Sequence, residues 1–200
     1  MKSNRKFIEK LVVTAILAAL VIVLQLFVVF PVGIFTITLT LVPIMVGAVL
    51  YGPKTGAFLG GVFGITVSAQ VIFPLLDPLS LAMFDYSPVA TIAICILKGV
   101  LAGLVAGLIY KPFKNTKKET LGIILSAISC PIINTGLFLS ALVLIFYDVA
   151  VAYATETGFP TLINFIVLGI LLNFSVEFVI QVLLIPLVIR LMKILKITTT

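Results

Sequence analysis

The chain has 200 residues, of which 62% are apolar and only 10% are charged, with a mean hydropathy of +1.36 and a formal net charge of +6. A soluble domain carries roughly 25% charged residues, so lipid must be the solvent for most of this chain. The absence of His and the placement of both cysteines, Cys95 and Cys130, inside apolar runs exclude His-based acid–base catalysis and indicate neither a zinc site nor a disulfide framework.

Apolar runs follow one another along the chain with short connections between them. A spanning helix needs about 20 mostly apolar residues. The runs, in chain order, are Phe7–Phe30, Thr38–Tyr51 (extended backwards from Ile34), Thr55–Phe73, Pro88–Tyr110, Leu121–Tyr147 and Thr161–Lys193. We therefore predict an all-α integral membrane bundle of six transmembrane helices, forming a single domain over residues 1–200.

The first run invites a second interpretation. Lys2, Arg5 and Lys6 precede an apolar stretch, which is also the pattern of a secretory signal peptide. The stretch is at least as long as a spanning helix and has no small-x-small cleavage site before Pro31. We therefore favour a retained first transmembrane helix.

Basic residues set the predicted orientation. Twelve of the thirteen fall at the two chain ends or in the connections after spans two and four: Lys2, Arg5, Lys6, Lys10, Lys54, Lys111, Lys114, Lys117, Lys118, Arg190, Lys193 and Lys196. The opposite side carries Asp77, Asp85, Asp148 and Glu156 and no basic residue. The positive-inside rule then places both termini in the cytoplasm. Membrane topology thus accounts for the net charge of +6 without a nucleic-acid partner.

Small residues recur every four positions on two spans. Gly52, Gly56, Gly60 and Gly64 lie along span three, and Gly99, Gly103 and Gly107 along span four. Such stripes let two helices approach closely. We favour packing within the chain, with a docking surface for another membrane protein as the second possibility. The similar stripe of Ala15, Ala18 and Ala19 on span one, at the predicted edge of the bundle, favours a partner interface.

Polar residues lie where lipid should exclude them. Lys98 is near the middle of span four, and Glu177 is at a comparable depth in span six. A Lys at the centre of a spanning helix costs roughly 2.5–3.5 kcal/mol on insertion scales, so it should face the bundle interior. The two side chains form either a structural ion pair or part of a polar ligand pocket.

Two asparagines are predicted at a similar depth. Asn173 precedes Glu177 by one turn on the same helical face. Asn134 follows Pro131, which removes a backbone donor within span five. On the outer side, the apolar connection from Phe73 to Ser87, with Tyr86, is either a lid over such a pocket or an ordinary interfacial loop. We predict a substrate site formed by Lys98, Asn134, Asn173, Glu177 and Tyr86.

Catalytic patterns are absent from the sequence. Gly52-Pro53-Lys54-Thr55 resembles the end of a Walker motif but lacks its glycine-rich loop and preceding strand. No Ser has a His to activate it, and no metal or cofactor motif occurs. We therefore expect a protein that is not an enzyme and needs no cofactor. The two halves show no clear internal repeat, which argues against a standard secondary transporter.

Four local strings carry a family resemblance that covers nearly the whole chain: VPIMVGAVLYGPKTGAFLGGVFG, LKGVLAGLVAGLIYK, PIINTGLF and NFSVEF. The chain resembles the substrate-binding S components of energy-coupling factor (ECF) vitamin importers, most of all the pantothenate type. The resemblance implies capture of a vitamin from outside and docking on a separate membrane coupling subunit driven by two ATPases. It implies docking through Ala15, Ala18 and Ala19, and a bacterial plasma-membrane location.

Pantothenate has a carboxylate, hydroxyl groups and an amide. In this hypothesis Lys98 neutralises the carboxylate, and Asn134 and Asn173 bind the polar groups. If Glu177 already neutralises Lys98, a neutral vitamin such as pyridoxine fits better. The sequence is also compatible with a riboflavin or folate S component and with a stand-alone small-solute carrier or channel. An intramembrane enzyme is disfavoured because no catalytic constellation occurs.

Overall fold

The computed structural model describes the backbone of residues 2–32, 35–73 and 78–199 and, within these, the side chains except those at positions 2, 3, 5, 29–32, 35–38, 173 and 191–199. The elements in chain order are α1 (Lys2–Phe27), β1 (Val29–Val32), β2 (Phe35–Thr38), α2 (Leu41–Tyr51), α3 (Pro53–Ile72), α4 (Pro78–Tyr86), α5 (Pro88–Tyr110), a 3₁₀ turn (Lys111–Phe113), α6 (Glu119–Leu144), α7 (Tyr147–Glu156), α8 (Leu162–Asn164), a π-helical segment (Phe165–Leu171) and α9 (Leu172–Thr199).

The helical membrane class predicted from the composition is confirmed. In the described part of the chain, five stretches are long and apolar enough to cross a membrane: Lys6–Phe27, Pro53–Ile72, Pro88–Phe113, Glu119–Leu144 and Leu162–Arg190. The predicted second span is shorter than expected. Its helix, α2, has 11 residues and so measures about 16 Å, against about 30 Å for the hydrocarbon core.

An antiparallel hairpin replaces the outer part of the second span and also the end of the first, which was predicted to reach Phe30 but whose helix ends at Phe27. β1 and β2 pair with Val29 opposite Thr38 and Val32 opposite Phe35. The local sequence explains the change, because Pro31 lacks the donor that a helix needs and the β-branched and aromatic residues of FTIT favour an extended chain. A helical run from Ile34, which itself lies outside the described residues, was therefore the wrong prediction for Phe35–Thr38.

Three other boundaries differ from the sequence prediction. The connection from Phe73 to Ser87 contains α4, while its Asp77 lies outside the described residues. The fifth span ends at Leu144, and Tyr147 begins the separate helix α7. The sixth span contains seven π-helical residues before α9. Wide π-turns of this kind are frequent at functional sites.

The glycine stripes pack α3 against α5. A Cβ atom added at Gly60 would overlap the backbone of Gly99, and one added at Gly56 would overlap the backbone of Gly103. One turn further, Gly107 lies against Pro53. The paired residue numbers run in opposite directions, so the helices are antiparallel. This confirms the prediction of packing within the chain for these glycines, whereas Gly52 has a φ of +93° and connects α2 to α3 without such a contact.

The charges distinguish the two ends of the bundle. Lys10 and Lys54 border one groove, and the turn after α5 carries Lys111, Lys114, Lys117 and Lys118; we call this the basic end. At the opposite, acidic end, Asp85, Asp148 and Glu156 are exposed. This separation agrees with the topology predicted from the basic residues. The cytoplasmic location of the basic end stays a prediction.

Two apolar clusters fill the bundle. The larger joins α1, α2, α3, α5, α6 and α9 and includes Ile44, Leu59 and Phe63. The smaller lies toward the acidic end, where α4 and α7 pack over the ends of α5 and α6, and includes Leu79 and Phe146.

Candidate ligand-binding site

Lys98 connects the two apolar clusters. Its side chain is half-buried on α5, and its ammonium lies 5.9 Å from the ring centre of Phe63 and 5.1 Å from that of Phe138. Phe63 belongs to the larger cluster, and Phe138 packs against the smaller. Both distances suit cation–π attraction.

Asn134 lies at the same level as Lys98. The Ser126 hydroxyl of α6 donates to the Ala106 carbonyl of α5 over 2.8 Å. Lys98 lies eight residues from Ala106 toward the acidic end, and Asn134 lies eight residues from Ser126 in the same direction. The Oδ1 atom of Asn134 is buried and has no hydrogen-bond partner among the residues whose side chains the structure describes. It is an acceptor available to a ligand or a water at the level of the lysine.

Glu177 lies against the start of α2. Together with Gln181, one turn further along α9, it lines a cavity of about 10 Å³ beside Leu39, Leu41 and Val42. That volume is about the smallest that holds one water molecule. Gln181 is 4% exposed, and its Nε2 donor has no partner in the described part of the chain. Glu177 also lies within electrostatic range of Cys130 on α6.

The structure describes the other two predicted site residues to different extents. Asn173 precedes Glu177 by one turn on the backbone of α9, and its side chain lies outside the described residues. Tyr86 ends α4, is 57% exposed, and packs edge-on against Phe146 at 6.0 Å between ring centres. Because α5 starts two residues after Tyr86 and needs ten more to reach Lys98, about 15 Å of helix separates the two levels. The structure does not bring Tyr86 to the level of the lysine.

Two groups of polar residues were missed by the sequence reasoning. Gln181 lies in the cavity beside Glu177, and a cluster of Gln25, Thr40 and Gln70 is buried between α1, α2 and α3. The only signal for them was a Gln within an apolar span. A Gln is a weaker indication than a charge, because an amide costs less to place in a membrane than an ion does.

The alanine stripe lines an open groove. Ala15, Ala18 and Ala19 face a volume of about 740 Å³ between α1 and the start of α3. The exposed Phe58 lies on its α3 side, and Lys10 and Lys54 lie at its basic end. Its polar lining residues are these lysines, Thr55 and Thr14, and the buried Thr14 hydroxyl has no hydrogen-bond partner among the described residues. Small residues on such a face let a second helix approach closely within a membrane.

These features define a class: a multi-pass membrane protein with a polar layer between two apolar clusters. At this layer an ammonium and a free acceptor can bind a small solute that has an anionic group and a hydrogen-bond donor. Among the described residues, no three His, Cys, Asp or Glu side chains come together to hold a metal ion.

A family model described as "ECF transporter, substrate-specific component" matches residues 9–189, and the chain belongs to this family. The family consists of transport components rather than enzymes. Among solved structures, ThiT from Listeria monocytogenes is similar in fold, with a TM-score of 0.64 and 22% sequence identity over 94% of this chain and 98% of that one. No curated protein matches the sequence.

Proposed function

We propose that the protein is the vitamin-binding subunit of an ECF-type importer and that pantothenate is its preferred ligand. The observation that carries the proposal is the Lys98 ammonium, which lies between Phe63 and Phe138 within the bundle. A cation at this depth is costly unless an anion or strong dipole compensates it. The carboxylate of a ligand supplies that compensation. Unlike a side chain of the protein, such a ligand can also dissociate from the lysine, as transport requires.

The neighbouring groups narrow the chemistry of this ligand. Asn134 Oδ1 needs a donor, and pantothenate offers hydroxyl and amide donors along with its carboxylate. Glu177 lines the cavity with Gln181 at the start of α2, whereas the Lys98 ammonium lies against two aromatic rings. We take the carboxylate of the ligand as the counter-ion of Lys98, which favours an anionic vitamin over pyridoxine.

Docking on the coupling subunit is the second part of the proposal. The groove lined by Ala15, Ala18 and Ala19 has the apolar surface that a partner helix requires. Lys10 and Lys54 at its basic end would attract acidic residues of that partner. Through this coupling subunit, two ATPases would supply the energy for uptake. A bacterial plasma membrane is the expected location.

Ligand binding to the purified protein tests the first part. Isothermal titration with pantothenate, pyridoxine, riboflavin and folate identifies the preferred vitamin, and mass spectrometry identifies any ligand retained through purification. Lys98→Met keeps much of the side-chain length without the charge, and we expect it to weaken pantothenate binding at least tenfold, the value of a charge-assisted hydrogen bond. Lys98→Arg keeps the charge and is the matched control. Unchanged affinity in Lys98→Met would reject the ion-pair proposal.

Transport in liposomes tests the second part. The chain alone should bind pantothenate without accumulating it, and uptake should require the coupling subunit, the ATPases and ATP. Accumulation by the chain alone, driven by an ion gradient, would instead identify a stand-alone carrier.

A further inference from the structure

Four lysines are concentrated in the turn between α5 and α6, which we call the basic turn (residues 111–119). Lys111, Lys114, Lys117 and Lys118 are all exposed. Glu119 is the one acidic residue of this segment, so four positive charges and one negative give it a formal charge of +3. Membrane topology accounts for basic residues at this end of the bundle, but it does not require that four of the thirteen lie in a single turn.

Internal hydrogen bonds stabilise the conformation of the basic turn. The buried Tyr110 hydroxyl donates to the Glu119 carboxylate, from one end of the turn to the other. The Thr116 hydroxyl donates to the Phe113 carbonyl over 2.8 Å and accepts from the backbone N–H of Lys118 over 3.2 Å. The backbone that carries the lysines is therefore ordered before a ligand arrives, which lowers the entropic cost of binding one.

Apolar side chains flank the basic turn on both helices. Leu108 lies two residues before the end of α5 and is 49% exposed, and Leu121 lies two residues after the start of α6 and is 45% exposed. Both leucines are thus about 3 Å along their helices from the turn, toward the middle of the bundle. Phe113 packs against the start of α6, where a Cβ atom added at Gly122 would overlap its side chain. The turn therefore lies close over the helix ends, with ammonium groups next to exposed apolar surface.

We propose that the basic turn binds the phosphate of an anionic phospholipid, whose acyl chains lie along Leu108 and Leu121. Clusters of about four or more basic residues next to a spanning helix are typical of binding to anionic lipids. A phospholipid joins an anion to hydrocarbon in one molecule, whereas an acidic segment of a partner protein would match the lysines but not the leucines. The predicted cytoplasmic location agrees, because anionic lipids lie in that leaflet. The site requires neither the vitamin nor the coupling subunit.

Lipid titration of the full chain in detergent, followed by native mass spectrometry, tests the proposal. It measures the dissociation constants of phosphatidylglycerol and of zwitterionic phosphatidylcholine. We expect phosphatidylglycerol to bind more tightly, and Lys114→Gln/Lys117→Gln to weaken its binding about 25-fold, or about fivefold per lysine. Lys114→Arg/Lys117→Arg keeps both charges and should keep the affinity.

Lys6→Gln/Arg190→Gln is the matched control for charge. It removes two charges from exposed side chains near the chain ends, outside the basic turn, and should weaken phosphatidylglycerol binding much less. An equal loss in the two glutamine variants would overturn the proposal, because it would show a general attraction to the net charge. Equal affinities of the natural sequence for the two lipids would also overturn it.

A photoactivatable phosphatidylglycerol in nanodiscs locates the bound lipid. We expect its crosslinks to fall within residues 108–121 and to decline in Lys114→Gln/Lys117→Gln. Crosslinks confined to other segments would overturn the proposed site. If this variant keeps its affinity for phosphatidylglycerol but no longer binds the coupling subunit, the partner of the basic turn is a protein, and the lipid proposal is overturned.

Discussion

Replacing Gly60 by alanine tests the contact that positions Lys98. The added Cβ would overlap the Gly99 carbonyl group and lie 2.9 Å from the backbone nitrogen of Val100. Backbone cannot rotate aside as a side chain can, so α3 and α5 must separate. Overpacking of this kind costs about 1–3 kcal/mol.

Gly61 provides a matched control in the same helix. A Cβ atom there would meet only the Val100 side chain, at an ordinary 3.6 Å. Both substitutions gain the same helix propensity, up to about 1 kcal/mol, so the difference between them isolates the overlap. We expect Gly60→Ala to be about 2 kcal/mol less stable than Gly61→Ala, the middle of the overpacking range.

Unfolding by SDS in mixed micelles, followed by far-ultraviolet circular dichroism, measures this difference. Gly60→Ala should also weaken pantothenate binding, because a displaced α5 moves the Lys98 ammonium away from Phe63. Equal unfolding free energies for Gly60→Ala and Gly61→Ala would refute the reasoning.

Three further outcomes follow from the described contacts. Asn134→Leu removes a buried acceptor that has no partner among the described residues. The free energy of unfolding should stay unchanged or rise by up to about 1 kcal/mol, while titration should show pantothenate binding weakened about tenfold. A loss of stability with normal binding would contradict this. Ala19→Leu fills the groove and should abolish uptake with the full importer in liposomes but not vitamin binding, whereas Val12→Leu, which lies outside the groove, should leave uptake intact. The acidic end repels an anion, so the association rate of pantothenate in stopped flow should rise as salt screens that charge, and a salt-independent rate would argue for a neutral ligand.

Composition and charge predicted the class and the grouping of the basic residues because the bilayer imposes them on any sequence. Long apolar runs must be helices, since backbone groups in hydrocarbon need partners within the same segment. That argument does not hold for a run buried within the protein. The run from Thr38 to Tyr51 illustrates this, because its first residue belongs to a strand and its helix begins at Leu41.

A charged side chain within a span indicated a candidate site residue more clearly than an amide side chain did. Lys98 was identifiable because a charge inside a span is expensive, and its level relative to Asn134 followed from antiparallel helices. The hydrogen bond from Gln25 to Gln70 joins residues 45 positions apart, and no local pattern indicates that distance. Tyr86 was predicted as a site residue because it lies in an outer loop; that loop contains α4, whose last residue, Tyr86, is 57% exposed, and its role in the site stays a prediction.

The half-length of α2 has a consequence for hydration. A two-stranded hairpin leaves the outer edge of each strand without ladder partners, and hydrocarbon supplies none. We expect water, drawn to these edges, to form a wet notch that descends from the acidic end to about the midplane, where α2 begins. A hydrophilic vitamin could then reach the level of Lys98 while remaining hydrated for most of the way. The energetic barrier to import would then lie between the level of Lys98 and the basic end, where the glycines pack α3 against α5.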